Sequence, residues 1–581
     1  MRGVWTLIIS ALFWTSASAK DIQTKLPPVD FNDQVHPVYS QTGMVAVQDS
    51  LAAQVGADIL RRGGNAIDAA VATGFALAVT HPQAGNIGGG GFMMIALNDE
   101  PDVIAVDFRE MAPEAAHRDM FLGADGEVDN QKSWFSHHSS GVPGTVMGLL
   151  DALETYGTMT RRQVIGPAVR LAYEGFAVSP SLSASLAEHK EMLSSDPSSL
   201  DYFFTSAHQA PAPGYRFRQK DLADTLRRIM KYGSDGFYKG ETAELMLAEI
   251  EAGGGIMTQA DLDNYKVMTR KAVTGQYKGY DISSMPPPSS GGVHIIQMLN
   301  MLSGYDLATQ SHNSADYMHK LIEVMRRAYA DRSKHLGDPD FYPVPVTGLT
   351  DLVYADRLRE SIDLTQAIPS LEIAPAHSFG LESPQTTHYS VMDKEGNAVA
   401  VTYTLNFSYG SGYSVDGAGF LLNNEMDDFS SKPGSPNGYG LIGGVANQIE
   451  PGKRPLSSMS PTIVKKDGEV FLITGSIGGS RIITATLQII LNMIDFDMNV
   501  AEAVAAPRFH HQWLPDEVVS EPGISQDSLA ILESRGFVIA RNSDGNYQQS
   551  AFGRANSIAY EDGWFQGAAD ARDPKSAATG Y

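Results

Sequence analysis

The chain has 581 residues, more than one hydrophobic core usually holds, which favours two lobes or two closely packed subunits. Lys and Arg number 43 against 67 Asp and Glu, a net charge of −24, so a nucleic-acid partner, which needs a basic surface, is excluded. The sequence contains no cysteine, which excludes disulfides, thiol nucleophiles and cysteine metal sites.

The first nineteen residues have the pattern of a secretory signal peptide. Arg2 gives a positive start, residues 4–14 are mostly apolar, and Ala17-Ser18-Ala19 forms a small-residue cleavage site. The apolar run is too short to span a bilayer, and no later segment offers about 20 uninterrupted apolar residues. We therefore predict that residues 1–19 are removed, that the mature protein has no membrane insertion, and that it is exported, to the periplasm rather than the medium.

Two helices and a glycine-rich turn are predicted next. Ser50 is a suitable N-cap for a helix that ends at Gly63-Gly64, and Asn65 caps a second helix rich in Ala and Gly. Four consecutive glycines at 88–91 then lead into a strand that we expect to end near residues 107–110. A phosphate-binding loop is disfavoured because no Lys-Ser/Thr follows, and close backbone packing is the better explanation.

The middle of the chain is predicted to be mainly helical. Residues 140–260 show helical patterns, and a further helix begins at Asn313 with an apolar stripe typical of a core-facing surface. Residues 364–385 are polar, contain three prolines and indicate a loose linker. A linker before a strand-rich region suggests a boundary close to residue 385.

The clearest hairpin of the sequence follows this linker. Residues 386–404 alternate in polarity around a turn at 394–396. If Asp393 faces Asn397, Thr386 lies opposite Thr404 on the polar face, while tyrosines and valines occupy the other face. The register thus brings two hydroxyl groups together at one end of the hairpin.

The residues around Thr386 and several later motifs resemble the γ-glutamyltranspeptidases of bacteria. The resemblance covers essentially the whole mature chain and is carried by QTTHYS (385–390), NNEMDDFS (423–430), KRPLSSMSPT (453–462), TGSIGGSR (474–481), APRFHHQW (506–513), GGNAIDAA (63–70), DFREMAP (107–113) and MPPPSSGG (285–292). It implies an N-terminal-nucleophile hydrolase with an α+β, four-layer αββα sandwich. It also implies that one precursor cleaves itself between Gln385 and Thr386 into a large subunit, 20–385, and a small catalytic subunit, 386–581, which form a heterodimer.

A threonine at a new N-terminus carries its own base. Its α-amino group, with an ordinary pKa of about 7.7–8.0, can take the hydroxyl proton, whereas the amide nitrogen of the uncut chain cannot. The resemblance makes Thr386 the nucleophile and Thr404 its hydrogen-bonding partner. Taken without the resemblance, both threonines would be ordinary strand residues.

The resemblance also assigns the residues that hold a γ-glutamyl donor. Arg109 would bind the donor α-carboxylate together with Ser457 and Ser458, and Glu425 and Asp428 would bind the α-amino group. Some bacterial relatives have Gln at position 425, and either side chain accepts a hydrogen bond from an ammonium group. Each residue also has an ordinary alternative, in which the arginine pairs with its neighbour Glu110 or the acidic residues lie on a solvated loop.

The remaining assignments concern the reacting carbonyl and the entrance to the site. Asn406 would add a polar contact, and Gly478 and Gly479 would supply backbone N–H groups for the oxyanion. Residues 430–444 match the loop that covers the pocket in many family members, with Tyr439 at its gating position. The alternatives are ordinary turns for the glycines and a mobile surface loop for 430–444.

No cofactor or metal is expected. His137-His138 and His510-His511 are adjacent pairs without further ligands at metal-binding spacing, so structural or surface roles are favoured. The expected reaction is transfer of a γ-glutamyl group from glutathione or related donors to water, amino acids or peptides.

Two other functions remain open at this point. A cephalosporin or glutaryl acylase on the same fold is disfavoured by the acidic residues at 425 and 428, since such an acylase has no α-amino group to bind. A non-catalytic exported binding protein is disfavoured by the intact Gln385-Thr386 pair and by Thr404.

Overall fold

The computed structural model describes residues 29–30, 32–374 and 386–581. The predicted signal peptide at 1–19 and the cleavage residue Gln385 lie outside these ranges. Within them, no helix is both long enough and apolar enough to cross a membrane.

The strands are short and distributed over the whole described chain. In chain order they are β1 Val38–Ser40, β2 Gly43–Val47, β3 Gly90–Ala96, β4 Val103–Phe108, β5 Phe176–Ala177, β6 Arg216–Phe217, β7 Met268–Lys271, β8 Val273–Tyr277, β9 Tyr280–Ser284, β10 Thr387–Asp393, β11 Ala398–Thr404, β12 Thr462–Lys466, β13 Glu469–Thr474, β14 Phe509–His510, β15 Val519–Ser520, β16 Asn556–Glu561, β17 Trp564–Ala569 and β18 Ala577–Gly580.

The helices occupy most of the connections between strands. They are α1 Ser50–Arg61, α2 Ala66–Thr80, α3 Asn130–Trp134, α4 Thr145–Tyr156, α5 Arg161–Glu174, α6 Pro180–Glu188, α7 Lys190–Leu193, α8 Pro197–Phe203, α9 Lys220–Tyr232, α10 Asp235–Tyr238, α11 Gly240–Ala252, α12 Gln259–Asn264, α13 Gly291–Leu302, α14 Ala315–His335, α15 Val346–Leu349, α16 Leu352–Glu360, α17 Ser370–Ile373, α18 Arg481–Phe496, α19 Val500–Ala505 and α20 Gln526–Ser534. Residues 140–260 are mainly helical, as predicted.

Two large sheets lie at the centre of the described residues. The first has the order β18-β2-β10-β11-β3-β4-β7 and the second β1-β17-β16-β13-β12-β9-β8. Apolar side chains between them, such as Met94 and Ile473, form one core, while helices including α2, α4 and α5 cover the first sheet and α13, α14 and α18 cover the second. This is the αββα layering that the family resemblance implies.

The hairpin of β10 and β11 lies in the middle of the first sheet, in the predicted register. Thr387 pairs with Tyr403 and Met392 with Ala398, so Thr386 extends the ladder opposite Thr404. On the outer face, the hydroxyls of Tyr389 and Tyr403 donate to carbonyls of α2 at 3.0 and 2.9 Å. The small residues of α2 are therefore explained by two tyrosines that lie against its backbone.

The glycine-rich segment packs closely on backbone, as predicted. A Cβ on Gly89 would lie 2.0 Å from the Thr404 carbonyl oxygen, and one on Gly88 would lie 2.2 Å from the Leu421 carbonyl oxygen. The single strand expected up to 107–110 is wrong, because β3 ends at Ala96 and turns back into β4. Residues 97–102, four of which are polar, form that turn. Both strands are too apolar to show the alternation that would have revealed them.

Helix ends were largely predictable, with two corrections. The helix expected to begin at Asn313 begins at Ala315, because the Ser314 hydroxyl caps it. Asn65 caps α2 and forms a capping box with Asp68, as expected for a Ser/Thr/Asn residue before an apolar run. The N-cap of α1, however, is Asp49 and not Ser50, because its carboxylate accepts from Leu51 and Ala52 backbone N–H groups. Of the predicted linker, residues 370–373 form a short helix, and 375–385 lie outside the described ranges.

Candidate active site

The two threonines of the hairpin line a common cavity at the end of β10 and β11. The space between its lining residues, including the part open to solvent, is about 270 Å³, and Thr386 and Thr404 are each 3% exposed. The lining consists of Arg109, Thr386, Thr404, Asn406, Glu425, Asp428, Tyr439, Leu441, Ser457, Ser458, Met459, Gly479 and Ile482. Of the site residues assigned from the sequence, those that the structure describes all line this cavity except Gly478, which lies beside Gly479. Gln385 lies outside the described ranges.

The position of Thr404 is fixed by tight turns on both sides. Its hydroxyl accepts the Asn406 backbone N–H at 2.9 Å, and its carbonyl accepts the Asn86 side-chain amide at 2.9 Å. Asn406 has φ +77°, a left-handed conformation that is unusual for a residue other than glycine. Such strain is stored where neighbouring contacts enforce it, here at the end of the strand that faces Thr386.

Arg109 is fully buried and is surrounded by three carboxylates. Its two terminal nitrogens form ion pairs with Glu425 and Asp428, and Glu110 lies 3.6 Å away. The alternative in which Arg109 pairs with its neighbour Glu110 is therefore also observed, but this ion pair is the longest of the three. The alternative of a solvated acidic loop is wrong, since the side chains of Glu425 and Asp428 are 1% and 12% exposed.

Three carboxylates, those of Glu110, Glu425 and Asp428, surround the single guanidinium of Arg109. Desolvation by burial raises the pKa of Glu425 well above its ordinary value, and burial likewise raises the pKa of Glu110 to about 7, each opposed by Arg109. Among the described residues, Glu425 Oε2, Asn406 Oδ1 and both Glu110 carboxylate oxygens have no hydrogen-bond partner. Buried acceptors without donors are costly, so the site favours a ligand that brings a cation.

A second buried network holds the Arg109 backbone. The Asp107 carboxylate accepts from the Arg109 backbone N–H at 3.0 Å, from Arg454 at 2.7 Å and from Arg270 at 2.8 Å. The Tyr265 hydroxyl donates to the Arg109 carbonyl at 2.9 Å. The arginine therefore leaves the end of β4 in a fixed direction, with its side chain aimed at the cavity.

The serine pair lies on a segment that is tied to Arg109 and to the second helical layer. Arg109 Nε donates to the Pro455 carbonyl at 3.2 Å, and the Ser457 carbonyl accepts the Ser290 backbone N–H at 2.8 Å. The Ser458 hydroxyl accepts from buried Arg332 at 3.2 Å, and burial lowers the pKa of that guanidinium to about 10. Two cations thus lie on the serine side of the cavity.

The loop 430–444, which matches the covering loop of the family, contributes Tyr439 and Leu441 to the lining of the cavity. The Tyr439 hydroxyl donates to the Asn406 carbonyl at 2.6 Å, and its ring is 4% exposed. A Cβ on Gly479, whose φ is +56°, would lie 2.2 Å from the Tyr439 ring. The absence of a side chain at Gly479 therefore lets the tyrosine lie directly over this turn.

The histidine two residues after Thr386 is not a suitable base. His388 is buried on the same face, contacts the Thr402 hydroxyl at 2.8 Å, and burial lowers its pKa to about 3. A group with that pKa does not take a proton efficiently near neutral pH. Within the described ranges, no cluster of three or more His, Asp or Glu side chains has the spacing of a metal site.

Several site residues were not found from the sequence. Asp107 was quoted only within a motif, Asn86 lies in the glycine turn, and Arg332 lies on a helix interpreted as core. Asp427 and Trp134, which are joined by a hydrogen bond, were not singled out either. Their roles depend on contacts between distant segments, which no local pattern encodes.

Helical layers on both sides of two facing sheets, with a threonine at the start of a central strand, define the class of N-terminal-nucleophile hydrolases. Among solved structures, cephalosporin acylase from Bacillus halodurans is similar with a TM-score of 0.81 at 27% identity, covering 96% of this chain and 99% of that chain. Helicobacter pylori γ-glutamyltranspeptidase is similar with a TM-score of 0.56 at 44% identity, covering 60% of this chain and 97% of that chain.

Sequence comparison narrows the class to one family. A family model described as Gamma-glutamyltranspeptidase matches residues 52–580. The glutathione hydrolase proenzyme of Escherichia coli (strain K12) is 50% identical over 578 residues, which is 99% of this chain and 98% of that protein. The chain belongs to the γ-glutamyltranspeptidase family, and the resemblance and the fold predicted from the sequence are confirmed.

Proposed function

We propose that this protein is a self-processing γ-glutamyltransferase and glutathione hydrolase in which Thr386 is the nucleophile. The residue assignments rest on one observation. The buried guanidinium of Arg109 pairs with more than one buried carboxylate, and this cluster lines the same cavity as Thr386. A γ-glutamyl donor presents a carboxylate, an ammonium group and an amide. The cavity offers a complement to each of the three.

Binding of the donor is an exchange of ion pairs. In the structure Arg109 pairs with Glu425 and Asp428. A bound α-carboxylate would take the guanidinium, aided by Ser457 and Ser458, and the α-ammonium group would take the carboxylates. The charges removed from water by this exchange remain paired, which buried charges require.

The acyl transfer proceeds in two steps. The Thr386 hydroxyl oxygen attacks the γ-carbonyl carbon, its proton passes through the α-amino group of Thr386 to the leaving amine, and the C–N bond breaks to leave a γ-glutamyl ester. Water, an amino acid or a peptide then attacks the ester and restores the hydroxyl. Backbone N–H groups of Gly478 and Gly479 would stabilise the oxyanion in both steps.

Processing supplies the base for this chemistry. Cleavage between Gln385 and Thr386 would convert an amide nitrogen into an amine and give subunits 20–385 and 386–581. Strands from both sides of residue 386 are hydrogen-bonded neighbours within the first sheet, since β10 pairs with β2 and β11 with β3. The two subunits would therefore remain one folded unit after cleavage, as a heterodimer.

Export is part of the proposal and rests on the sequence of residues 1–19. The lack of cysteine is compatible with an oxidising compartment, since the protein has no thiol to oxidise. We propose the periplasm as the destination.

The acidic residues proposed to bind the donor amine distinguish the γ-glutamyltransferase from the acylase alternative. A glutaryl or cephalosporin donor has no ammonium group, so Glu425 and Asp428 would retain their pairs with Arg109 and compete with the donor carboxylate. Glu425 Oε2 is buried and has no hydrogen-bond partner in the described part of the chain, which supports a ligand that carries a hydrogen-bond donor.

The test compares two donors on the purified protein. We expect release of p-nitroaniline from γ-glutamyl-p-nitroanilide and of glutamate from glutathione, with little turnover of glutaryl-7-aminocephalosporanic acid. A Thr386→Ala variant is the control and should be inactive. Preferential turnover of the glutaryl compound would contradict the proposal.

A further inference from the structure

The covering loop is held by a buried carboxylate that the acyl-transfer chemistry does not use. Asp427 accepts the Trp134 indole N–H at 2.9 Å through one oxygen and the Gly438 backbone N–H at 2.9 Å through the other. Trp134 ends α3, and Gly438 is the residue before Tyr439. One carboxylate thus joins the loop tip to a helix far away in sequence.

Aromatic packing confines the loop tip to the same place. The Phe407 ring lies 5.6 Å from the Tyr439 ring and 5.8 Å from the Trp134 ring, both at steep angles. A Cβ on Gly438 would lie 2.3 Å from the Phe407 ring and 2.8 Å from the Asp427 carboxylate. The loop therefore reaches this position only with glycine at 438.

The loop tip also contacts the amine-binding side of the cavity. The Asn437 side-chain amide donates to Asp428 at 3.1 Å, and the same carboxylate is paired with Arg109. The Asn437 side-chain oxygen accepts the backbone N–H groups of Tyr439 and Leu441 at 3.0 and 3.1 Å. Closure of the loop and the position of Asp428 are thus linked through one side chain.

We propose that Asp427 and Trp134 are positioning residues that latch the loop 430–444 closed over the donor, with Gly438 as the contact point. The inference rests on the proposed function, because it assigns a role in retaining that donor. Opening the latch withdraws Tyr439 from Asn406 and Asn437 from Asp428. Donor affinity falls as a result, while the threonine chemistry is unchanged.

The first test removes one hydrogen bond and keeps the rings. Trp134→Phe deletes the indole N–H but preserves the aromatic contact with Phe407, and Trp564→Phe, on β17 of the second sheet, is the matched control. Chymotrypsin cleaves after an accessible tyrosine, so the rate of cleavage after Tyr439, followed by mass spectrometry, measures the population of the open loop. Leaving one buried carboxylate oxygen without its donor should raise that rate about 5- to 100-fold.

Kinetics of the same variants give a second readout. With γ-glutamyl-p-nitroanilide, Trp134→Phe and Gly438→Ala should raise the donor KM about 5- to 20-fold, with kcat within about twofold of the wild type. Asp427→Asn should act in the same direction, since its amide presents a donor to one of two N–H groups. The Trp564→Phe control should leave both parameters unchanged.

The outcomes separate the latch from the proposed function. Cleavage after Tyr439 at the wild-type rate in Trp134→Phe overturns the latch, as does an equal rise at tyrosines throughout the protein, which would indicate general unfolding. Absence of any γ-glutamyl turnover in the wild type would overturn the proposed function instead. The protease measurement needs no activity and still decides whether Asp427 and Trp134 hold the loop.

Discussion

Replacement of Glu425 by Gln tests how the cavity distinguishes a γ-glutamyl donor from a glutaryl donor. The two side chains have the same shape, so the change removes one negative charge from a position that is 1% exposed. Glu425 pairs with Arg109 through Oε1, and its Oε2 has no partner among the described residues. In the proposed complex that free oxygen accepts from the donor ammonium group.

The magnitude follows from the loss of charge assistance. A hydrogen bond to a charged group contributes about 1.5–3 kcal/mol, against about 0.5–1.5 kcal/mol between neutral groups. The difference of about 1–1.5 kcal/mol corresponds to a rise of about tenfold in KM for the γ-glutamyl donor. Asp428 keeps its carboxylate, so binding is weakened rather than lost. The kcat should change less than threefold, because Glu425 does not contact the hydroxyl of Thr386 in the proposed mechanism.

The assay compares γ-glutamyl-p-nitroanilide with glutaryl-p-nitroanilide, which differ only by the amino group. In Glu425→Gln, kcat/KM should fall about tenfold for the first donor and stay constant or rise for the second, because Arg109 loses a competing carboxylate. An equal fall for both donors would show that Glu425 acts through the fold or through Arg109 alone. No change for either would remove Glu425 from the binding site.

Three further changes probe the oxyanion turn, the support of Arg109 and the buried acid. Gly479 has φ +56°, which a residue with a side chain rarely adopts, so Gly479→Ala should shift its backbone N–H away from the oxyanion and lower kcat for γ-glutamyl-p-nitroanilide about 100-fold, with processing intact on a gel. Asp107→Asn weakens the buried pair with Arg454 and should lower the free energy of unfolding by about 3 kcal/mol in urea titrations; a loss below about 1 kcal/mol would contradict this role. Burial raises the pKa of Glu110 to about 7 in the folded protein, above its ordinary 4.5, so its contribution to stability is complete below pH 4.5 and is lost as pH rises through 7. The Tm of the wild type should therefore fall between pH 5 and pH 8 relative to that of Glu110→Gln, and parallel Tm profiles would refute the shift.

The hairpin that carries Thr386 was predictable because its two faces differ in polarity. Alternation over 387–404 and a glycine in the turn were enough to fix the register, and the observed pairing of Thr387 with Tyr403 agrees. The glycines at 88–91 were also predictable as close packing, since no phosphate-binding pattern accompanied them. Local sequence determines these features, because each depends on neighbours within one hairpin or turn.

Other parts of the site depend on contacts between distant segments. The mutual pairing of Arg109 with Glu425 and Asp428 joins residues more than 300 positions apart, and the sequence suggested separate partners on a donor. The same holds for Asp427, whose partners come from α3, from the covering loop and from the side chain of Asn406. Burial, which raises the pKa values of Glu110 and Glu425, is likewise a property of the packed layers and not of the motif.

The central claim is that one residue provides both the attacking hydroxyl and, after backbone cleavage, the base. Intact-mass spectrometry of the purified wild type and of Thr386→Ala, read together with glutamate release from glutathione, tests it most directly. We predict two polypeptides in the wild type, the smaller beginning at Thr386, and one inactive, uncut chain in the variant. A single unbroken wild-type chain that releases glutamate would contradict the account.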